Sequence, residues 1–250
     1  LMLKTIPRIK SNQRTEVLKY LEVMIPDDED VQTEEKLIAF RNGILNLMTM
    51  ELLPFSPDYM VTNKIPWDYN PSAYSELADS TLNKMSCNDP DIRNLLEECI
   101  GYTFYRMNSI RKAFILTGSG SNGKSTFIAV LNKILGDENV SALDLKNLGD
   151  RFSKAVLFKK LANIGDDISD EFIPDTSLFK KIVSGDKIDA EFKGQDAFEF
   201  NPYVKLVFSA NSIPRMKDKT GAVINRLVII PFDAMFSEND PDFDPDIKRK

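Results

Sequence analysis

Eight consecutive residues, Gly118-Ser119-Gly120-Ser121-Asn122-Gly123-Lys124-Ser125, follow the pattern G-x-x-x-x-G-K-[ST]. Residue types in that order suit one kind of chemistry. Glycines let the backbone curl so that successive N–H groups, and the N-terminus of a following helix, point at phosphate oxygens. The Lys124 ammonium supplies a point charge for β- and γ-phosphates, and the Ser125 hydroxyl is placed to ligate Mg²⁺. Gly118 to Ser125, with Thr126 behind them, are the candidate nucleotide-binding residues, and a nucleoside triphosphate is the expected ligand.

Such a loop works only between a strand and a helix. Upstream, Ala113-Phe-Ile-Leu-Thr117 is an apolar run of strand length. Downstream, Phe127, Ile128, Leu131, Ile134 and Leu135 recur at helical spacing, predicting a helix from Ser125 to Leu135 that stops at Gly136. P-loop chemistry next needs an acidic residue at the end of a neighbouring strand, to hold the Mg²⁺ shell and orient an attacking water. Leu161-Ala-Asn-Ile-Gly-Asp166-Asp167 offers two carboxylates in that position, the alternative being a solvated acidic turn. Asp170 and Glu171 lie close behind.

A third strand, from Val204, ends in Asn211, whose amide has both a donor and an acceptor for a γ-phosphate and a lytic water. An asparagine there is also an ordinary turn former. Arg226 precedes a fourth apolar run, Leu227 to Phe232, and reads either as a salt-bridge residue or as a finger reaching a neighbouring subunit's nucleotide.

The chain has 250 residues, 42% of them hydrophobic, enough for one good core or two small ones. It has no histidine, which removes Ser-His-Asp, Cys-His and His-ligated metal chemistry. Cys87 and Cys99 have no metal-ligand spacing and suggest no disulfide framework. No apolar run reaches membrane-span length and no signal-peptide pattern opens the chain, so a soluble, cytoplasmic protein is expected. A net charge of −6 argues mildly against a wholly nucleic-acid-binding surface, without excluding a local basic lining. The start at Leu1 and the Asp/Pro-rich stretch before Lys250 suggest a fragment of something larger.

Three regions are expected. Residues 1–110 read as a smaller, mainly helical region with a β-hairpin, 111–236 as the nucleotidase core, and 237–250 as an acidic, solvated linker. In the first region a helix is expected over Ser11–Met24, then an acidic loop, Asp27–Asp30. A hairpin follows over Leu37–Leu47, with Asn42-Gly43 as a type I′ turn. Asn70-Pro71 and Asp89-Pro90 predict capped helices running to Ser86 and Met107. Trp67, Tyr69, Tyr102 and Tyr105 read as packing aromatics.

The order of parts from Ala113 to Phe232 resembles a superfamily 3 helicase of the phage and plasmid primase-helicase type, related to poxvirus and satellite-phage replication proteins. The motifs that carry the likeness are Gly118 to Ser125, Ile164-Gly-Asp-Asp167, Ser184-Gly-Asp186 through Lys193, and Phe208-Ser-Ala-Asn211-Ser-Ile-Pro214. Ala39-Phe-Arg-Asn-Gly43 and Ile65-Pro-Trp-Asp-Tyr-Asn-Pro71 are similar to the segment preceding the core in those proteins. The resemblance implies an α/β, AAA+-like P-loop ATPase with a central parallel sheet, using ATP and Mg²⁺. It also implies assembly into a ring, usually a hexamer, that threads single-stranded DNA in a replicon's service, and a possible primase domain in the parent chain. Lys124 and Ser125 would bind phosphate and metal, Asp166 and Asp167 metal and water, Asn211 would be the sensor, and Arg226 the trans-acting finger. Many relatives carry Asp-Glu or Glu-Glu where this chain has Asp166-Asp167.

Between the second and third strands, Lys187–Phe192 and Ala197–Phe200 alternate apolar and polar around Lys193-Gly-Gln-Asp196, predicting a hairpin with Phe192 and Lys193 near its tip. On its own this is an ordinary exposed hairpin; the resemblance makes Phe192 and Lys193 DNA-contacting. Two other function classes fit a phosphate loop. A GTPase or small-molecule kinase is disfavoured by the lack of an N-K-x-D motif and of a lid-like arginine cluster. A nucleotide-gated assembly module without unwinding activity is the alternative that DNA-stimulated turnover would separate.

Overall fold

The computed structural model describes residues 12, 13, 15–17, 20, 35–168, 176–212, 221–240 and 244–249. The chain divides into two compact units, Leu1–Thr33 and Glu34–Lys250. In the first, Asn12, Gln13, Thr15, Glu16, Val17 and Tyr20 are helical. The rest of the helix expected over Ser11–Met24 lies outside the described residues, as do Asp27–Asp30, Asp170, Glu171 and Pro214.

The second unit opens with β1 (Leu37–Phe40) and β2 (Gly43–Asn46), the expected antiparallel hairpin, and adds a short β3 (Leu52–Leu53) beside β2. The turn differs from the expected type. Phe40 pairs with Gly43, so Arg41 and Asn42 make the corner, and none of Arg41, Asn42 and Gly43 has a positive φ. Tertiary contacts explain both residues. Asn42 accepts from the Tyr69 amide at 2.8 Å and donates to the Tyr69 carbonyl at 3.0 Å. Gly43 is needed because a Cβ there would sit 2.7 Å from the Leu53 carbonyl of β3.

Helix α1 (Glu76–Met85) starts later than the proline signal suggested, because Ser75 is its N-cap and accepts from the Ala78 amide at 3.3 Å. Asn70 instead closes a local turn onto the Ser72 amide at 3.0 Å. Helix α2 (Pro90–Thr103) begins as read from sequence, its Asp89 cap accepting from Asp91 and Ile92. It ends at Thr103, four residues short of Met107.

The core is one parallel sheet. In chain order its strands are β4 (Ala113–Thr117), β5 (Val140–Ser141), β6 (Ala162–Ile168), β9 (Lys205–Ala210) and β10 (Leu227–Pro231), and they lie side by side as β10-β4-β9-β6-β5. Among the described residues, three α-helices lie between these strands: α3 (Lys124–Leu135), short α4 (Ser153–Val156) and α5 (Thr176–Ser184). Between α5 and β9 stands the hairpin of β7 (Ile188–Glu191) and β8 (Ala197–Phe200), as its alternating pattern predicted. The period of two explains the layers. Phe114 and Leu116 of β4 pack with Phe127 and Leu131 of α3 and Leu96 of α2, whereas Ala113 and Ile115 pack with Phe179 and Ile182 of α5.

A charged residue is buried in the apolar pattern of β9. Lys205, at the start of β9, is 1% exposed, with its Nζ donating to the carbonyls of Tyr105 and Tyr203, both at 2.6 Å, and lying 4.7 Å from the centre of the Tyr102 ring. Burial pulls its ammonium down to about 7. The unfolded chain therefore binds the extra proton between about pH 7 and about pH 10, and stability rises with pH across that window. Lys205→Met should be more stable than the parent near pH 6, and that advantage, on the order of 4 kcal/mol, should fade by about pH 10. Urea midpoints at the two ends of the range check this; a constant difference would acquit the lysine.

Candidate functional site

The glycine-rich loop folds between β4 and α3 as its flanks required. Gly120, Ser121 and Gly123 have positive φ of 116°, 47° and 93°, so the loop reverses its curvature repeatedly before α3 begins at Lys124. Such alternation turns backbone amides inward and makes an anion-binding concavity. Gly118 is needed for close approach: a Cβ there would lie 2.0 Å from Asn122 Nδ2 and 2.5 Å from the Phe232 carbonyl. Asn122 is buried and donates to that Phe232 carbonyl at 3.0 Å. Lys124 is 7% exposed, and its Nζ donates to the Gly118 carbonyl and to Asn122 Oδ1. The ammonium is thus folded back on its own loop. Ser125 stands in the first turn of α3, where its hydroxyl accepts from Lys248 Nζ at 3.0 Å. Concave loop, inward lysine and first-turn hydroxyl fit a triphosphate with its magnesium ion.

Sheet order brings the next candidates to the same edge. The Gly118 amide donates to the Ala210 carbonyl at 3.3 Å, which sets the start of the loop beside Asn211, exposed at the end of β9. On the far side of β9, β6 carries Asp166 and Asp167. There Gly165 pairs with Phe208 and Ile168 with Ala210, so three steps on β6 match two on β9, and the acidic pair occupies a β-bulge. Bulges re-aim side chains at sheet edges, and sequence gave no sign of this one. A Cβ at Gly165 would lie 2.6 Å from Phe208, so the glycine before the pair is required for packing.

Arg226 and the hairpin are elsewhere. Arg226 closes the 3₁₀ turn Ile224–Arg226 ahead of β10, and Leu227 pairs with Ala113, the first residue of β4. The loop follows the last residue of β4, so the length of a five-residue strand, about 16 Å, separates the two ends. Arg226 donates to the Ala222 carbonyl at 2.8 Å and to Ser184 Oγ at 3.3 and 3.4 Å, next to the foot of the hairpin.

At the hairpin tip Lys193 is exposed and Phe192 is 39% exposed. Phe192 stacks on Phe198 at 5.2 Å and Phe198 on Phe200 at 5.8 Å, while Phe158 meets both edge-on. Arg151 pairs with Glu191 at 2.8 Å, and Lys154 with Asp189. The hairpin is braced along one side.

Sequence reading missed the walls around the loop. A cavity of about 330 Å³ lies beside Gly123, Ser125 and Thr126, closed by Leu77, Lys84 and Met85 of α1 and by Phe236, Asp244 and Ile247 of the terminal segment. An apolar cavity of about 370 Å³ lies along α1 and α3, sharing Leu77, Thr81, Met85 and Ile247. Both volumes suit a small-molecule ligand. No local signal marks Lys84, Phe236 or Lys248, because each reaches the loop from a distant part of the chain.

Residues 1–100 match the family described as D5 N terminal like, and residues 116–226 match a family of unknown function, DUF5906. Among curated proteins, "Putative helicase 184R" of Invertebrate iridescent virus 6 is 27% identical over 89% of this chain and 25% of its own length. "Putative helicase V13" of Sputnik virophage is 27% identical over 80% of this chain and 27% of its own length. The chain thus spans about a quarter of these relatives. Among solved structures, the apo C-terminal region of NrS-1 is similar in fold, with a TM-score of 0.59, 16% identity, and coverage of 79% of this chain and 46% of that one.

Proposed function

We propose that the chain is a superfamily 3 helicase domain of the primase-helicase type, supported by its D5 N terminal like match and its similarity to viral putative helicases, and that it binds ATP with Mg²⁺ at the loop Gly118–Ser125. We further propose that it hydrolyses ATP between the subunits of a ring, to move along single-stranded DNA. The observation that carries this reading is the meeting, at the carboxyl edge of three adjacent strands, of the phosphate loop after β4, Asn211 after β9 and the acidic bulge of β6. In an open parallel sheet that edge is where ligands bind.

The residues then divide the tasks. Loop amides and Lys124 hold the phosphate chain, and Ser125 with the Asp166-Asp167 pair would hold the metal. When bound, Mg²⁺ neutralises charge on the phosphate oxygens. The acidic pair and Asn211 orient the attacking water, and Arg226 completes the site of a neighbouring subunit. Residues 1–110 serve as the region preceding the ATPase core, 111–236 as that core, and 237–250 as its tail. Among the described residues no helix is long and apolar enough to cross a membrane.

The test is the steady-state ATPase rate with and without single-stranded DNA, with the assembled mass read in parallel. DNA stimulation in a ring-sized species is expected. Turnover that ignores DNA in an assembled ring would point to the assembly module instead.

The hairpin makes a separate prediction. Lys193 adds positive charge at the tip and Phe192 offers a partly exposed ring face, and contacts of these kinds serve single-stranded nucleic acid. Lys193→Ala should leave ATP affinity unchanged while lowering DNA affinity, with a shallower salt dependence of binding. An unaltered salt slope and full DNA stimulation would remove the hairpin from the DNA path.

A further inference from the structure

Ser125 Oγ, the hydroxyl assigned above to Mg²⁺, already has a cationic neighbour in Lys248. The terminal segment that brings it there is tied down at several points. The Phe236 amide donates to the Ser121 carbonyl at 2.8 Å, inside the phosphate loop itself. Asp240 pairs with Lys84 of α1 at 3.3 Å. Asp244 then turns the chain, its carboxylate accepting from the Asp246 amide at 3.0 Å and its carbonyl from Ile247 at 3.2 Å. Ile247 is half-buried and lines both cavities between α1 and α3. The next residue is Lys248.

The ammonium stands 3.0 Å from the hydroxyl oxygen that would ligate a magnesium ion, so the two cations would share one oxygen. Like charges that close repel, and the ammonium also donates to the oxygen that the metal needs. We propose that Lys248 is a further residue of the nucleotide site, one that competes with the divalent cation for Ser125, so that the metal-bound nucleotide seats only after Lys248 leaves the hydroxyl. The inference rests on the nucleotide reading above. Without metal the same ammonium faces the phosphate loop and adds its charge to that of Lys124. Lys248 therefore opposes the metal-bound nucleotide and favours the metal-free one, and loss of the side chain acts in opposite directions on the two.

The experiment is calorimetric binding of the β,γ-imido analogue of ATP to the parent chain and to Lys248→Ala, with excess Mg²⁺ and with a chelator. Lys248 is exposed, so the substitution spares the core. Lys248→Ala should tighten the metal-bound analogue by about threefold to tenfold, the range set by one exposed hydrogen bond, and weaken the metal-free analogue by a similar factor. Amide exchange over residues 244–249 should speed up in the parent when the metal-bound analogue is added. Equal affinities in both chains under both conditions would overturn the role of Lys248 and leave the nucleotide site standing. No binding to either chain would overturn the nucleotide site and this inference together.

Discussion

Lys124→Ala is expected to lower ATP turnover by at least about a hundredfold, the scale of removing one positioned charge from a reacting centre. Lys124 is buried in the glycine-rich loop and donates to the Gly118 carbonyl and to Asn122 Oδ1. The same contacts tie it to loop shape, so the variant must be checked for folding. Lys124→Met keeps the aliphatic stem but loses the ammonium with its hydrogen bonds to Gly118 and Asn122; it should stay folded and be equally inactive. Normal turnover in a folded Lys124→Met protein would remove the loop from the chemistry.

Arg226→Ala should bind ATP normally and hydrolyse it about a thousandfold more slowly, the lower end of what a transition-state arginine contributes. Its place at the opposite end of β4 from the loop separates it from its own chain's phosphates. Action across a subunit boundary predicts complementation. Mixing Arg226→Ala with Lys124→Ala, each inactive alone, creates interfaces where an intact loop meets an intact arginine, and turnover should return. The competing role is structural, since Arg226 bonds Ser184 Oγ and the Ala222 carbonyl. That role predicts a lowered melting temperature and no return of activity on mixing.

Local chemistry made much of the site legible. The loop, its strand and its helix were readable because the features that specify them lie within about two turns of chain. Alternation over Lys187–Phe200 likewise predicted the hairpin. The type I′ turn at Asn42-Gly43 was misread because both residues serve tertiary contacts: Asn42 holds Tyr69, and Gly43 admits β3. Helix α1 begins at Ser75 because the serine caps it, while Asn70 spends its side chain on a turn. The bulge at Asp166-Asp167 had no signal at all, because a bulge is a mismatch between two strands and neither strand alone contains it.

Residue types in tandem order were enough to raise the expectation of a triphosphate held by amides, a lysine and a hydroxyl, since a loop of eight residues carries its own backbone requirements. Alternating apolar runs and helices were readable as well, and the resemblance those residues carry implied the parallel sheet. Which ends of those strands meet was decided only by the tertiary fold. It set Asn211 beside Gly118, held Arg226 a strand's length away, and brought Lys248 onto Ser125. Contacts between residues so far apart in the chain arise when side chains exclude water together, and no periodicity along the sequence records them.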